Sequence, residues 1–89
     1  MITRTARIQN KLGLHARAAS KLVALAQHHA AEISLHREGT QANAKSIMSI
    51  LMLQATCGTE IEVVANGDDE DAAVSAIVGL IEDLFGEGE

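Results

Sequence analysis

The stretch Thr59-Glu60-Ile61-Glu62-Val63-Val64-Ala65, followed by Gly67 and the acids Asp68-Asp69-Glu70-Asp71, decides how the rest of the chain is arranged. Acid alternates with aliphatic from Glu60 to Val63, so one face of this segment is apolar and the other wet. A strand of that kind belongs to an antiparallel sheet covered on a single face. Gly67 ends it, and the four acids stand on the first turn of a last helix, complementing the positive end of its dipole. Ala73, Ile77, Leu80, Ile81 and Leu84 line one side of that helix, with Phe85 placed to close it. The upstream residues must then supply the other strands and the rest of the cover.

They do so in a readable order. Ile2 to Ile8 alternates imperfectly, with Ile2, Ala6 and Ile8 on one face, and predicts a first strand ending at the turn-like Asn10-Lys11-Leu12-Gly13. From Ala16 to about Ala30, the residues Ala19, Leu22, Val23, Ala26 and Ala30 recur at helical spacing in a segment free of Gly and Pro. Glu32 to His36 alternates again, Glu38-Gly39 supplies a tight turn, and Thr40 to Asn43 returns as a partner strand. Ser46 caps a short helix from Ile47 to about Leu53, with Ile47, Ile50 and Leu51 inward and Met48 and Met52 nearer an edge. The order β-α-β-β-α-β-α predicts an α+β two-layer domain spanning residues 1–89.

Composition agrees and excludes several function classes. A chain of 89 residues buries only about 60 to 65% of its unfolded surface, enough for one core. It is 47% apolar, yet Phe85 is its only aromatic residue, so that core consists of aliphatic layers. No apolar run approaches the roughly 18 residues of a membrane span and Met1-Ile2-Thr3-Arg4 starts no signal peptide, which predicts a cytoplasmic protein without membrane insertion. The single cysteine, Cys57, has no internal disulfide partner and reads as an inert core or loop thiol. Net charge is −5 but uneven: residues 1–45 carry seven bases against two acids, and residues 46–89 carry ten acids and no Lys or Arg. Without a net basic balance or stacking aromatics, nucleic acid is not the expected partner. The basic N-terminal part suits an acidic protein surface or a small anion.

Of the four histidines, His28 and His29 are adjacent and point about 100° apart on a helix, while His36 sits on a strand. No metal-ligand spacing accompanies them, and all three read as solvated surface residues. His15 differs, because it stands where the first helix begins and where Ser, Thr, Asp or Asn would usually cap it. A ring nitrogen there can accept from the orphan backbone N–H groups. The helix dipole disfavours imidazolium at that end, leaving a neutral, nucleophilic ring. A phosphoryl group on that nitrogen would meet the same N–H donors, with the Arg17 guanidinium in reach of its oxygens.

Asn10-Lys11-Leu12-Gly13-Leu14-His15-Ala16-Arg17-Ala18-Ala19 resembles the active-site signature of the HPr family, the histidine phosphocarriers of the bacterial phosphoenolpyruvate-dependent phosphotransferase system. Asn43-Ala44-Lys45-Ser46-Ile47-Met48 independently resembles that family's regulatory-serine segment, and the likeness extends over nearly all 89 residues. It implies an open-faced β-sandwich, a four-stranded antiparallel sheet covered on one face by three helices. It further implies that His15 accepts phosphate on Nδ1 from phospho-enzyme I and passes it to an enzyme IIA, that Arg17 contacts the phosphate, and that Ser46 is the target in species that have HPr kinase/phosphorylase. Such a carrier is not an enzyme in the turnover sense; it needs no cofactor and no metal and works as a monomer.

Three residues depart from the common family pattern: Ala18 where many members have proline, Ser49 where glycine is common, and Cys57 at a position often basic or polar. The missing proline loosens the helix start without removing a chemical group. The ending Asp83 to Glu89 resembles both HPr and its nitrogen-branch relative NPr, so a regulatory carrier signalling through a nitrogen-type enzyme IIA is the alternative. Acyl carrier proteins share the size and acidity, but their Asp-Ser-Leu attachment site is absent from this sequence. A regulatory module using only the Ser46 helix would not need the histidine at position 15. The expected docking surface is the apolar edge beside His15, formed by Leu14, Ile47, Met48, Leu51 and Met52 and ringed by Arg17, Lys21 and Lys45.

Overall fold

The computed structural model describes residues 1–87. Its elements are β1 (Ile2–Arg7), α1 (Ala16–Ala26), β2 (Glu32–Arg37), β3 (Thr40–Asn43), α2 (Ile47–Met52), β4 (Glu60–Asn66) and α3 (Glu70–Glu82), closed by a terminal turn at Leu84–Gly86. The four strands form one sheet in the order β1-β4-β2-β3, with every neighbouring pair antiparallel.

The alternation in β4 has its physical counterpart in the register. Ile61 stands opposite Ala6, Val63 opposite Leu35, and Ala65 opposite both Ile2 and Ile33. All of these but the half-buried Ile2 are buried, so the aliphatic side chains of adjacent strands share the covered face. Glu60 and Glu62 point to the open face. Between β2 and β3 the two turn residues Glu38 and Gly39 both have positive φ, 48° and 84°, the geometry whose twist matches a tight hairpin.

Three helices supply the cover: α3 packs on β1 and β4, α1 lies against α2 and α3, and α2 packs on β3. α1 buries Ala18, Ala19, Leu22, Val23 and Ala26, of which the three alanines admit close approach, while Phe85 fills the end of the core at 0% exposure. Among the described residues no helix is long and apolar enough to cross a membrane.

Several local expectations differ. α1 ends at Ala26 and not near Ala30, because the Asp69 carboxylate captures the N–H groups of Ala30 (3.1 Å) and Ala31 (2.8 Å) and pulls the chain out of helix. Ala31, not Ala30, is therefore buried. Asp68 and Asp69 precede α3, which starts at Glu70. The buried stripe of α3 is Ala73, Val74, Ile77, Val78 and Ile81, with Leu80 and Leu84 only half-buried. In the six-residue α2 only Ile50 is fully buried; Ile47 is 42% exposed and Leu51 is half-buried. Cys57 is an exposed thiol. His29 and His36 are half-buried and bonded, to Asp69 (3.0 Å) and Ser34 (2.9 Å), so of the three only His28 is exposed.

Candidate functional site

His15 occupies the N-cap of α1 with extended backbone (φ −80°, ψ 178°), and its Nδ1 accepts from the Arg17 N–H at 3.2 Å. The ring does what a capping hydroxyl or carboxylate would do, using a nitrogen lone pair. Since Nδ1 accepts, the proton of the neutral ring sits on Nε2. That atom lies 2.5 Å from Glu87 Oε2. Nδ1 therefore keeps its lone pair while pointing at the orphan N–H groups of the helix, and an anion formed on it inherits those donors.

The loop before the helix is held from below. Gly13 has φ +67°, a conformation natural to glycine, and its carbonyl accepts from Asn10 Nδ2 at 2.8 Å. The Leu14 N–H donates to the Ala55 carbonyl at 2.9 Å, which brings the loop after α2 beside His15.

Glu87 reaches the ring through the terminal turn. Lys21 Nζ donates to the Phe85 carbonyl at 2.7 Å, and the fully buried Asn10 gives Glu87 Oε1 a second donor at 3.1 Å. Burial pushes the Glu87 carboxyl up, but the bonds from His15 and Asn10 and the charge of Lys21 outweigh it and hold the group below the usual glutamate range. Lys11, Leu12, Arg17, Lys21 and Glu87 border an open recess around the ring. Arg17 is exposed and pairs with no carboxylate among the described residues.

Ser46 is the N-cap of α2, its Oγ accepting from the Ser49 N–H at 3.3 Å, and Met48 and Met52 beyond it are 68% and 72% exposed. Two of the expected surface residues lie elsewhere. Leu14 is 5% exposed and belongs to the core, because the bond to Ala55 turns the loop inward. The Lys45 ammonium donates to the His29 carbonyl at 2.7 Å, beyond the C-terminal end of α1, so it does not ring His15. Asn10, Glu87 and Leu12, which is 68% exposed beside the ring, are contributions that local sequence reading missed. Asn10 carried a turn signal and a place in the quoted signature but no role of its own, and no periodicity links Glu87 to a residue 72 positions earlier. No group of three or more potential metal ligands occurs among the described residues.

A histidine lone pair thus faces a helix N-terminus on a four-stranded antiparallel sheet covered by three helices. The family model for the "PTS HPr component phosphorylation site" matches residues 2–83. The chain is 45% identical over 89 residues to the phosphocarrier protein HPr of Cupriavidus necator, covering 100% of both chains. It is 44% identical over 87 residues to the phosphocarrier protein NPr of Escherichia coli K12, covering 97% of each. In structure it is similar to HPr-C-His from Thermoanaerobacter tengcongensis, with a TM-score of 0.94 at 42% identity over 98% of each chain. The chain belongs to the HPr family of phosphocarriers of the phosphotransferase system.

Proposed function

We propose that this chain takes a phosphoryl group from phospho-enzyme I onto Nδ1 of His15 and passes it to an enzyme IIA, acting in the cytoplasm as a stoichiometric carrier and not as a turnover enzyme. The observation that carries the reading is the disposition of the ring: Nδ1 accepts from the first turn of α1 while Nε2 is engaged by a carboxylate. In transfer, the bond between phosphorus and the donor's nitrogen breaks, its electron pair returns to the donor, and the Nδ1 lone pair forms the new N–P bond. The phosphoryl oxygens then accept from the N–H groups of the first turn, and Arg17 meets their charge from the recess.

Ile47, Met48, Leu51 and Met52 on α2, with Leu12, offer partners an adaptable apolar surface, and Arg17 and Lys21 supply the basic rim. Ser46 lies at its edge as the site where a kinase-added phosphate would act. The test is incubation with enzyme I and labelled phosphoenolpyruvate, followed by mapping of an acid-labile phosphate. Label is expected on His15 alone and lost in His15→Ala, whose fold persists because an N-cap is worth only about 0.5 to 2 kcal/mol. Label remaining on His28, His29 or His36 in that variant overturns the assignment.

A further inference from the structure

We propose, resting on the reading of His15 as phosphoryl acceptor, that Glu87 is a positioning residue for the transfer: its carboxylate holds the proton on Nε2 and serves as counter-ion to the imidazolium that phosphorylation of Nδ1 creates. Glu87 lies outside the residues matched by the family model, which end at position 83.

The placement is built, not incidental. Oε2 meets His15 Nε2 at 2.5 Å, and Oε1 takes a hydrogen bond from Asn10, whose other amide hydrogen holds the Gly13 carbonyl two residues before the histidine. One buried side chain thus sets both the loop carrying the ring and the carboxylate facing it. The chain reaches this position through Leu84 (φ 57°), Phe85 (φ 54°) and Gly86 (φ 74°), three successive residues in the left-handed region. The two non-glycine residues there are strained, and such strain persists only where the surroundings over-determine it. The burial of Phe85 and the bond from Lys21 to its carbonyl provide that compensation.

The charge balance gives the carboxylate its task. Neutral His15 attacks with the Nδ1 lone pair while its proton stays on Nε2, so the product ring is cationic beneath a phosphoryl dianion. Among the described residues the charged groups bordering the recess are Lys11, Arg17, Lys21 and Glu87, and of these Glu87 is the only anion. A carboxylate on the far nitrogen therefore stabilises charge that exists in the product and develops in the transition state, as in other carboxylate–histidine pairs.

The experiment compares wild type, Glu87→Gln and Glu87→Ala in the full chain. Glu87→Gln keeps an acceptor but removes the charge. The maximal rate of His15 phosphorylation by enzyme I should fall about tenfold in Glu87→Gln, with KM for the carrier within about twofold. The isolated phospho-form provides the second readout. Its acid-promoted hydrolysis should begin about one pH unit lower in Glu87→Gln, because the phosphorylated imidazolium has lost its counter-ion. If both variants keep the wild-type rate and hydrolysis profile and only melt at lower temperature, Glu87 is a staple for the terminus and the proposal is overturned. If wild type itself takes up no phosphate, the reading of His15 fails and takes the proposal with it.

Discussion

The Leu14 N–H donates to the Ala55 carbonyl at 2.9 Å, and this bond ties the residue before His15 to the loop that follows α2. It is possible because Gly13 brings its backbone against the same segment. A Cβ at position 13 would lie 2.6 Å from the Ala55 oxygen and 2.9 Å from the Thr56 Cα, at a φ of +67° that side chains disfavour. Gly13→Ala should therefore destabilise the fold by about 1 to 3 kcal/mol in urea unfolding and displace the His15 ring, reducing phosphoryl acceptance. An unchanged unfolding midpoint would show that the loop yields without cost.

Arg17 is exposed at the recess and committed to no carboxylate among the described residues, so its charge is available to a phosphoryl group in transit. Arg17→Ala should lower the transfer rate by about ten- to a hundredfold while changing the dissociation constant for enzyme I much less. Rate and affinity are measured separately, by rapid quench and by titration. Equal losses in both would assign Arg17 to docking.

Ser46 caps α2 through its Oγ, next to the exposed Ile47 and Met48. Ser46→Ala removes the acceptor and should cost about 1 kcal/mol. Ser46→Asp keeps an acceptor and adds a charge at the edge of the apolar surface, so it should slow phosphorylation of His15 by enzyme I with little loss in melting temperature. Amide shifts on titration with enzyme I should map to the start of α1 and to α2; a footprint on α3 would remove the reason for that effect. An unmodified rate for Ser46→Asp at low salt would leave the serine as a cap alone.

Asp69 links the end of α1 to the approach to α3, accepting from Ala30, Ala31 and His29. Burial opposes its ionisation, but the bonds from Ala31, His29 and Ala30 outweigh this and hold its carboxyl below the usual range. With the folded value below the unfolded one, its contribution is fully present above the ordinary aspartate value of about 3.9 and is lost as pH falls through the folded value. Asp69→Asn should lower the melting temperature at neutral pH and flatten its decline on acidification below about pH 4. Parallel melting curves for variant and wild type across that range would rule the link out.

Much of this protein is determined by local pattern. Alternation in β2 and β4, helical spacing in α1 and the Glu38-Gly39 turn need only neighbouring residues to be read, because strand and helix periodicities act over a few positions. His15 was legible for the same reason: a cap acts within one turn, and the bond from the Arg17 N–H to Nδ1 spans two residues. Tertiary structure alone decided what touches the other nitrogen of that ring. Glu87 arrives across 72 residues, steered by the burial of Phe85, the left-handed turn and the bond from Lys21, none of which leaves a periodic trace. It also decided that Leu14 faces the core and that Lys45 serves the far end of α1, since both are set by backbone acceptors brought close only when the helices settle on the sheet. Side-chain type and spacing specify which face of an element is apolar; which distant carbonyl or carboxylate meets a given polar atom depends on the packing that follows.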